Sequence, residues 1–169
     1  MMEPKPKAAP APIVYAFIDA QNMHMATDKQ GWQVSFVKFR EYLSKKYSVT
    51  RAMMFFGYLP QFEDLYAKIR RAGFEVVFQD VLELEDGSVK GNVDVNLTIY
   101  ACCEMYKYQK AILVTADGDF SPLVKLLKRQ AKHPVVISPA PREQTSVLLR
   151  RAAGNQLMFI EGVRDKISR

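Results

Sequence analysis

Short apolar runs alternate along this chain with longer stretches whose apolar residues recur at helical spacing. Residues 13–18, 49–59, 74–84, 110–115, 134–138 and 156–160 read as strands. Residues 34–47, 60–72, 93–108, 120–131 and 143–153 read as helices, with Pro60 suited to a first turn and Gly73 to a stop. The residues at 85–88, Glu-Asp-Gly-Ser, read as a turn. Strands separated by helices of this length imply βαβ units and a mostly parallel sheet. The strands are apolar on both sides of their alternation, so both faces of the sheet need helical cover. The expectation is an α/β fold, a three-layer α/β/α sandwich with a mostly parallel central sheet. With 169 residues, 49% apolar and 25% charged, the chain suits one domain with a full core. Residues 1–12, rich in Pro, Ala and Lys, are expected to be a flexible leader, which leaves 13–169 as the single domain.

Parallel sheets place their clefts at the carboxyl ends of the strands, where strand order reverses. Four aspartates fall at such ends or at helix starts. Asp19 closes the first strand in "FIDAQN", Asp94 opens the long helix in "KGNVDVNL", and Asp117 and Asp119 follow a strand in "TADGDF". Singly, each has a structural explanation. Asp19 suits a turn, Asp117 an Asx turn, Asp119 the N-cap of the next helix, and Asp94 the positive end of a helix dipole. Together they raise a problem, because ionised carboxylates gathered on one edge repel. A hard divalent cation solves it with oxygen ligands alone, and it also activates water at a phosphate.

Several other classes are excluded. No apolar run approaches the ~20 residues of a membrane span, and the N-terminus has no secretory pattern. Cys102 and Cys103 are adjacent in a helical pattern and unsuited to pairing, so free thiols and a cytoplasmic location are expected. With these two cysteines and two distant histidines, His24 and His133, a structural zinc site lacks material. A dinucleotide fold would need G-x-G-x-x-G after the first strand, and a dehalogenase-like phosphatase would need DxD there; neither is present. Formal net charge is +6, with clusters at Lys45-Lys46, Arg70-Arg71, Lys125 to Lys132 and Arg150-Arg151. These are either solvated helix faces or a rim for a polyanion. Met53-Met54 and Cys102-Cys103 read as core, and Trp32 and Tyr58 as packing residues able to stack on bases.

"FIDAQN", "KGNVDVNL" and "LVTADGDFSPLV" resemble, in order and spacing, the motifs of the NYN domain, in particular its LabA-like branch among the PIN-like nucleases. The resemblance spans residues 13–160. It implies a PIN-like fold, a Mg²⁺ or Mn²⁺ site, and hydrolysis of RNA phosphodiester bonds. By motif match Asp19, Asp94, Asp117 and Asp119 take the metal positions. Asn22 and Thr115 match polar positions of the motifs, where they would either hydrogen-bond phosphate or catalytic water or stabilise the turns, and Lys90 matches the lysine before a motif glycine. Lys128, Arg129, Arg150 and Arg151 are the expected RNA-binding rim. Two positions depart from the pattern. Ala116 stands where glycine is common, and Gly154-Asn155 where relatives carry an aspartate. A second reading, from another class, is an RNA-binding or regulatory module with little or no turnover. Oligomeric state stays open, a homo-oligomer included.

Overall fold

The computed structural model describes residues 10–85 and 89–169, without the side chains of Glu83, Val89 and Lys90. Most of the expected 1–12 leader and of the 85–88 turn therefore lies outside the described residues. The chain begins with β1 (Val14–Asp19), α1 (Ala20–Lys29), α2 (Phe36–Tyr47), β2 (Val49–Gly57), α3 (Glu63–Arg71) and β3 (Glu75–Gln79). A small antiparallel pair follows, β4 (Leu82–Glu83) and β5 (Val89–Lys90). Then come α4 (Val93–Cys103), β6 (Lys110–Val114), α5 (Ser121–Arg129), β7 (Val135–Ser138), α6 (Val147–Ala153), β8 (Leu157–Phe159) and α7 (Arg164–Ile167).

The main sheet has the order β3-β2-β1-β6-β7-β8, and every neighbouring pair is parallel. The chain builds outward from β1 to β3, then returns through α4 and inserts β6 on the other side of β1. Strand order reverses between β1 and β6.

The period-two alternation of the strands divides the core in two. Ala16, Ile18, Met54, Ile112 and Val114 point to the layer holding Met23 of α1, Phe39 and Leu43 of α2, and Ile69 of α3. Phe17, Met53, Phe55, Leu113 and Val136 point to the layer holding Leu97 of α4, Leu123 and Leu127 of α5, and Leu149 of α6. Each such large side chain contributes about 1.5–3 kcal/mol by leaving water. The fold is thus the α/β sandwich expected, with the sheet covered on both faces.

Four local expectations change. Helix α1 was not foreseen, because only Ala20, Met23 and Thr27 of its residues are buried. The expected 74–84 strand stops at Gln79, where its ladder with β2 ends at Gly57, and the chain turns away into β4. The expected 143–153 helix is broken. Thr145 turns its hydroxyl inward, 2.6 Å from the Ser138 hydroxyl, and donates to the Pro141 carbonyl at 3.0 Å, so α6 begins only at Val147. Met53 and Met54 are core, but Cys103 is exposed; Cys102 and Cys103 are both free thiols. Trp32 is buried, whereas Tyr58 lies at the surface with its ring edge-on to Phe78. Among the described residues no helix is long and apolar enough to cross a membrane.

Candidate metal centre

Asp19 sits at the last position of β1 and caps α1. Its Oδ1 accepts the Asn22 N–H at 3.0 Å. Its Oδ2 faces the Thr115 hydroxyl at 3.4 Å, across the β1–β6 seam. Only 6% of the residue is exposed. Burial pushes its pKa up to about 6, and the nearby Asp94 and Asp117 charges add to the rise against the two hydrogen bonds.

Thr115 and Ala116 follow β6, and the "TADGDF" loop is built on local hydrogen bonds. The Ala116 N–H donates to Asn22 Oδ1 at 2.8 Å, and the Asp117 N–H donates to Thr115 Oγ1 at 3.1 Å. The Asp119 N–H donates to Asp117 Oδ1 at 2.9 Å. Asn22 and Thr115 thus join α1 to the loop, and Asp117 forms the Asx turn. The cap expected of Asp119 belongs to Asp117 instead. Among the described residues no side-chain hydrogen bond holds the exposed Asp119 carboxylate.

Gly118 is buried between the two acids because Ser146, just before α6, lies against it. A Cβ at Gly118 would stand 2.2 Å from Ser146 Oγ and 3.0 Å from its Cβ. This explains why the two aspartates are separated by glycine: the loop must pass under α6. We expect Gly118→Ala to cost about 1–3 kcal/mol by overpacking, measured by denaturant melts. Pairing it with Ser146→Gly should recover most of the loss. A fully additive double-mutant cycle would contradict this contact.

Asp94 enters from α4. Asn92 caps that helix by accepting the Val95 N–H at 3.2 Å, which places Asp94 in the first turn. One carboxylate oxygen each from Asp94, Asp117 and Asp119 lies within 4.8 Å of the other two. Burial raises the Asp94 pKa, with the Asp117 and Asp119 charges adding to it. Three of the four expected aspartates therefore converge with free access. Asp19 stands behind them, both its oxygens engaged with the protein.

This donor set fits a hard divalent cation. Ion-to-oxygen distances near 2.1 Å put opposite ligand oxygens about 4.2 Å apart. Three oxygens cannot all be opposite one another, so closing from 4.8 Å takes side-chain rotation, with ligands able to act through water. The donors are all oxygen, the set that hard divalent cations prefer.

Beside the acids lies a hollow of about 410 Å³, lined by Asn22, Ala26 and Lys29 of α1 together with Asp117, Asp119 and Gln144. Lys29 and Gln144 were not foreseen. Asn22, Ala26 and Lys29 are four and three residues apart, one face of a helix, and that signal is readable only once α1 is known. The expected RNA-binding cations lie at the far ends of α5 and α6. Lys128 and Arg129 occupy the last turn of α5, ~10 Å along the helix from its start after Asp119. Lys128 Nζ donates to the Ala152 and Ala153 carbonyls at 2.5 and 2.9 Å, closing the end of α6. Arg150 and Arg151 sit in the last turn of α6, again away from the loop, and Arg150 Nε is buried without a partner among the described residues. None of the four stands beside the carboxylates. Lys90 lies in β5, but its side chain is outside the described set.

A parallel α/β sandwich with converging acids at its topological switch point defines a class of protein suited to metal-assisted chemistry on phosphate. The family model of the NYN domain matches residues 14–161, and the chain belongs to that family. Membership supports a nuclease-type function. A crystal structure of a protein of unknown function from Vibrio parahaemolyticus shares the fold, with TM-score 0.73 and 24% identity over 99% of this chain and 100% of that one. A T5 5'-exonuclease solved with divalent zinc ions bound aligns more distantly, with TM-score 0.47 and 12% identity over 74% of this chain and 55% of that one. No curated protein matches the sequence significantly.

Proposed function

We propose that this NYN-domain protein is a ribonuclease that hydrolyses phosphodiester bonds with the help of Mg²⁺ or Mn²⁺. The observation that carries the reading is the convergence of Asp94, Asp117 and Asp119 oxygens within 4.8 Å. A protein that only bound phosphate would gain nothing from an acidic pit.

Asp94, Asp117 and Asp119 would hold the ion, which supplies a lowered pKa for water and neutralises charge on a phosphate oxygen. The chain's own residues do the rest. Asp19 ties the start of α1 to Thr115 and so fixes the loop that carries Asp117. Asn22 uses its Oδ1 on the Ala116 N–H, which leaves its amide N–H₂ for a phosphate oxygen. Lys29 puts a positive charge along the neighbouring hollow, where a strand's next phosphate would lie. The choice of RNA over DNA follows the motif resemblance. The free thiols of Cys102 and Cys103 fit a reducing compartment, and the cytoplasm is the proposed location.

The test is cleavage of a mixed panel of single-stranded and structured RNA. Cleavage should require Mn²⁺ or Mg²⁺ and stop with chelator; full activity in excess chelator would defeat the metal role. Binding should weaken steadily with salt as counterions are released. Lys29→Ala should lower affinity and flatten that salt slope by ~1. Lys128→Ala should leave affinity alone and instead cost about 1 kcal/mol of stability through the lost helix-end hydrogen bonds. The reverse pattern would move the RNA path to the far end of α5 and α6.

A further inference from the structure

Helix α1 separates two hollows. Its Asn22, Ala26 and Lys29 face the acidic groove. Its Ala20, Met23 and Thr27 face a second pocket of about 460 Å³ on the other side. Three- and four-residue spacing gives a helix two such faces, and here each face lines a different hollow. The second pocket's volume falls within the range of small-molecule sites.

The second pocket begins where the first site ends. Ala20 directly follows Asp19, and Val93 directly precedes Asp94; both line it. Its far walls are Met54, Phe56, Leu59, Phe62, Leu65 and Tyr66. Phe62, 45% exposed, stands at the opening, and Tyr66 is buried beneath, edge-on to Phe56. Gln21, His24 and Gln33 supply polar edges. The third wall is Val81, which closes over two glycines. A Cβ at Gly57 or at Gly91 would meet Val81 Cγ1 at 2.5 Å in either case. The absence of side chains at these two positions lets Val81 pack down as one wall of the hollow.

We propose that this pocket receives one unstacked nucleobase of the strand whose phosphate lies at Asp94, Asp117 and Asp119. The proposal rests on the nuclease reading for the identity of the strand. Its support is continuity and chemistry. A flat aromatic base needs apolar and aromatic walls with a few polar edges. This pocket offers both, directly against the one acidic cluster among the described residues suited to hold a phosphate through a cation. A lipid or an apolar peptide would fit the walls too, but neither accounts for a pocket sharing its wall with the acidic cluster.

The experiment is calorimetric binding of adenosine 5'-monophosphate, uridine 5'-monophosphate and ribose 5-phosphate, each in Mn²⁺, which needs no turnover. The parent should bind at least one of the two nucleotides about tenfold or more tighter than ribose 5-phosphate. Phe62→Ala and Gln21→Trp, the second placed to fill the opening, should remove that difference while leaving ribose 5-phosphate unchanged. Both side chains are exposed, and thermal melts check that each variant folds. Equal binding of the base-free and base-containing ligands overturns the proposal, as does a difference that both variants retain. Base-dependent binding in a protein that cleaves no RNA would keep the pocket and discard the ribonuclease reading. Cleavage without base-dependent binding would do the opposite.

Discussion

Asp117→Asn should leave a metal-free protein at least as stable as the parent and one that cleaves no RNA. Two unit charges ~5 Å apart at an effective dielectric of 20 repel by about 3 kcal/mol before counterions reduce it. The substitution removes one of the three converging charges and nearly preserves shape. It also keeps the local turn, because an Asn side-chain oxygen can accept the Asp119 N–H as Asp117 Oδ1 does. Metal separates the two proteins. At a hundred times its dissociation constant a ligand stabilises the native state by ~2.7 kcal/mol, which for a domain of this size is on the order of 5–10 °C in Tm. The parent should gain that shift in Mn²⁺ and the variant little of it. Thermal melts of both proteins, with and without Mn²⁺, decide the matter. A parent indifferent to millimolar metal, together with a destabilised variant, would return Asp117 to turn formation alone.

Asp19→Asn is expected to have a comparable effect on the metal-free protein, with a signature in pH. The Asp19 carboxyl titrates in the folded state at about 6 against an ordinary 3.8, chiefly through burial. The folded state therefore binds this proton more tightly than the unfolded state does. Its contribution is most favourable below pH 3.8, falls as pH rises toward 6, and costs the folded state in full above that. A rise of about two pH units corresponds to roughly 3 kcal/mol. Asp19→Asn should raise the metal-free Tm at pH 7–8 by ~5 °C or more, and should flatten the dependence of stability on pH between about 4 and 6. Parallel pH curves for the two proteins would show that Asp19 ionises without cost. In Mn²⁺ the comparison should narrow or reverse, since the parent's charge then has a cation nearby.

The strands were legible because burial on both faces demands unbroken apolar runs, as in Ile112-Leu113-Val114, and little else in a sequence reads that way. The acidic positions followed, since the sheet places every strand's carboxyl end on one edge. What the sequence hid was α1. Its buried face is made of Ala20, Met23 and Thr27, two small or polar residues and one methionine, so no apolar periodicity marks it. With the helix went Lys29 and the groove it lines. The placement of the basic residues was hidden for a related reason. Lys128 and Arg129 close follow "DGDF" in sequence, but a helix carries charge away from its start at ~1.5 Å per residue. The Lys128 charge is spent on carbonyls that belong to another helix. Nor did composition separate Asp19 from the other acids. Its two oxygens are engaged by Asn22 and Thr115, and that depends on the β1–β6 seam.

That seam joins residues 96 positions apart in the chain. Strand β6 does not extend an existing edge at β3; it inserts beside β1 after five earlier strands have been made. During synthesis, Asp19 and Asp94 leave the ribosome before the partner that completes their site. A chain halted before residue 110 carries half of the main sheet, an unpaired β1 edge and two acids with nothing to converge upon. The seam therefore orders assembly: the acids of β1, α4 and the loop after β6 come together only once β6 has paired with β1.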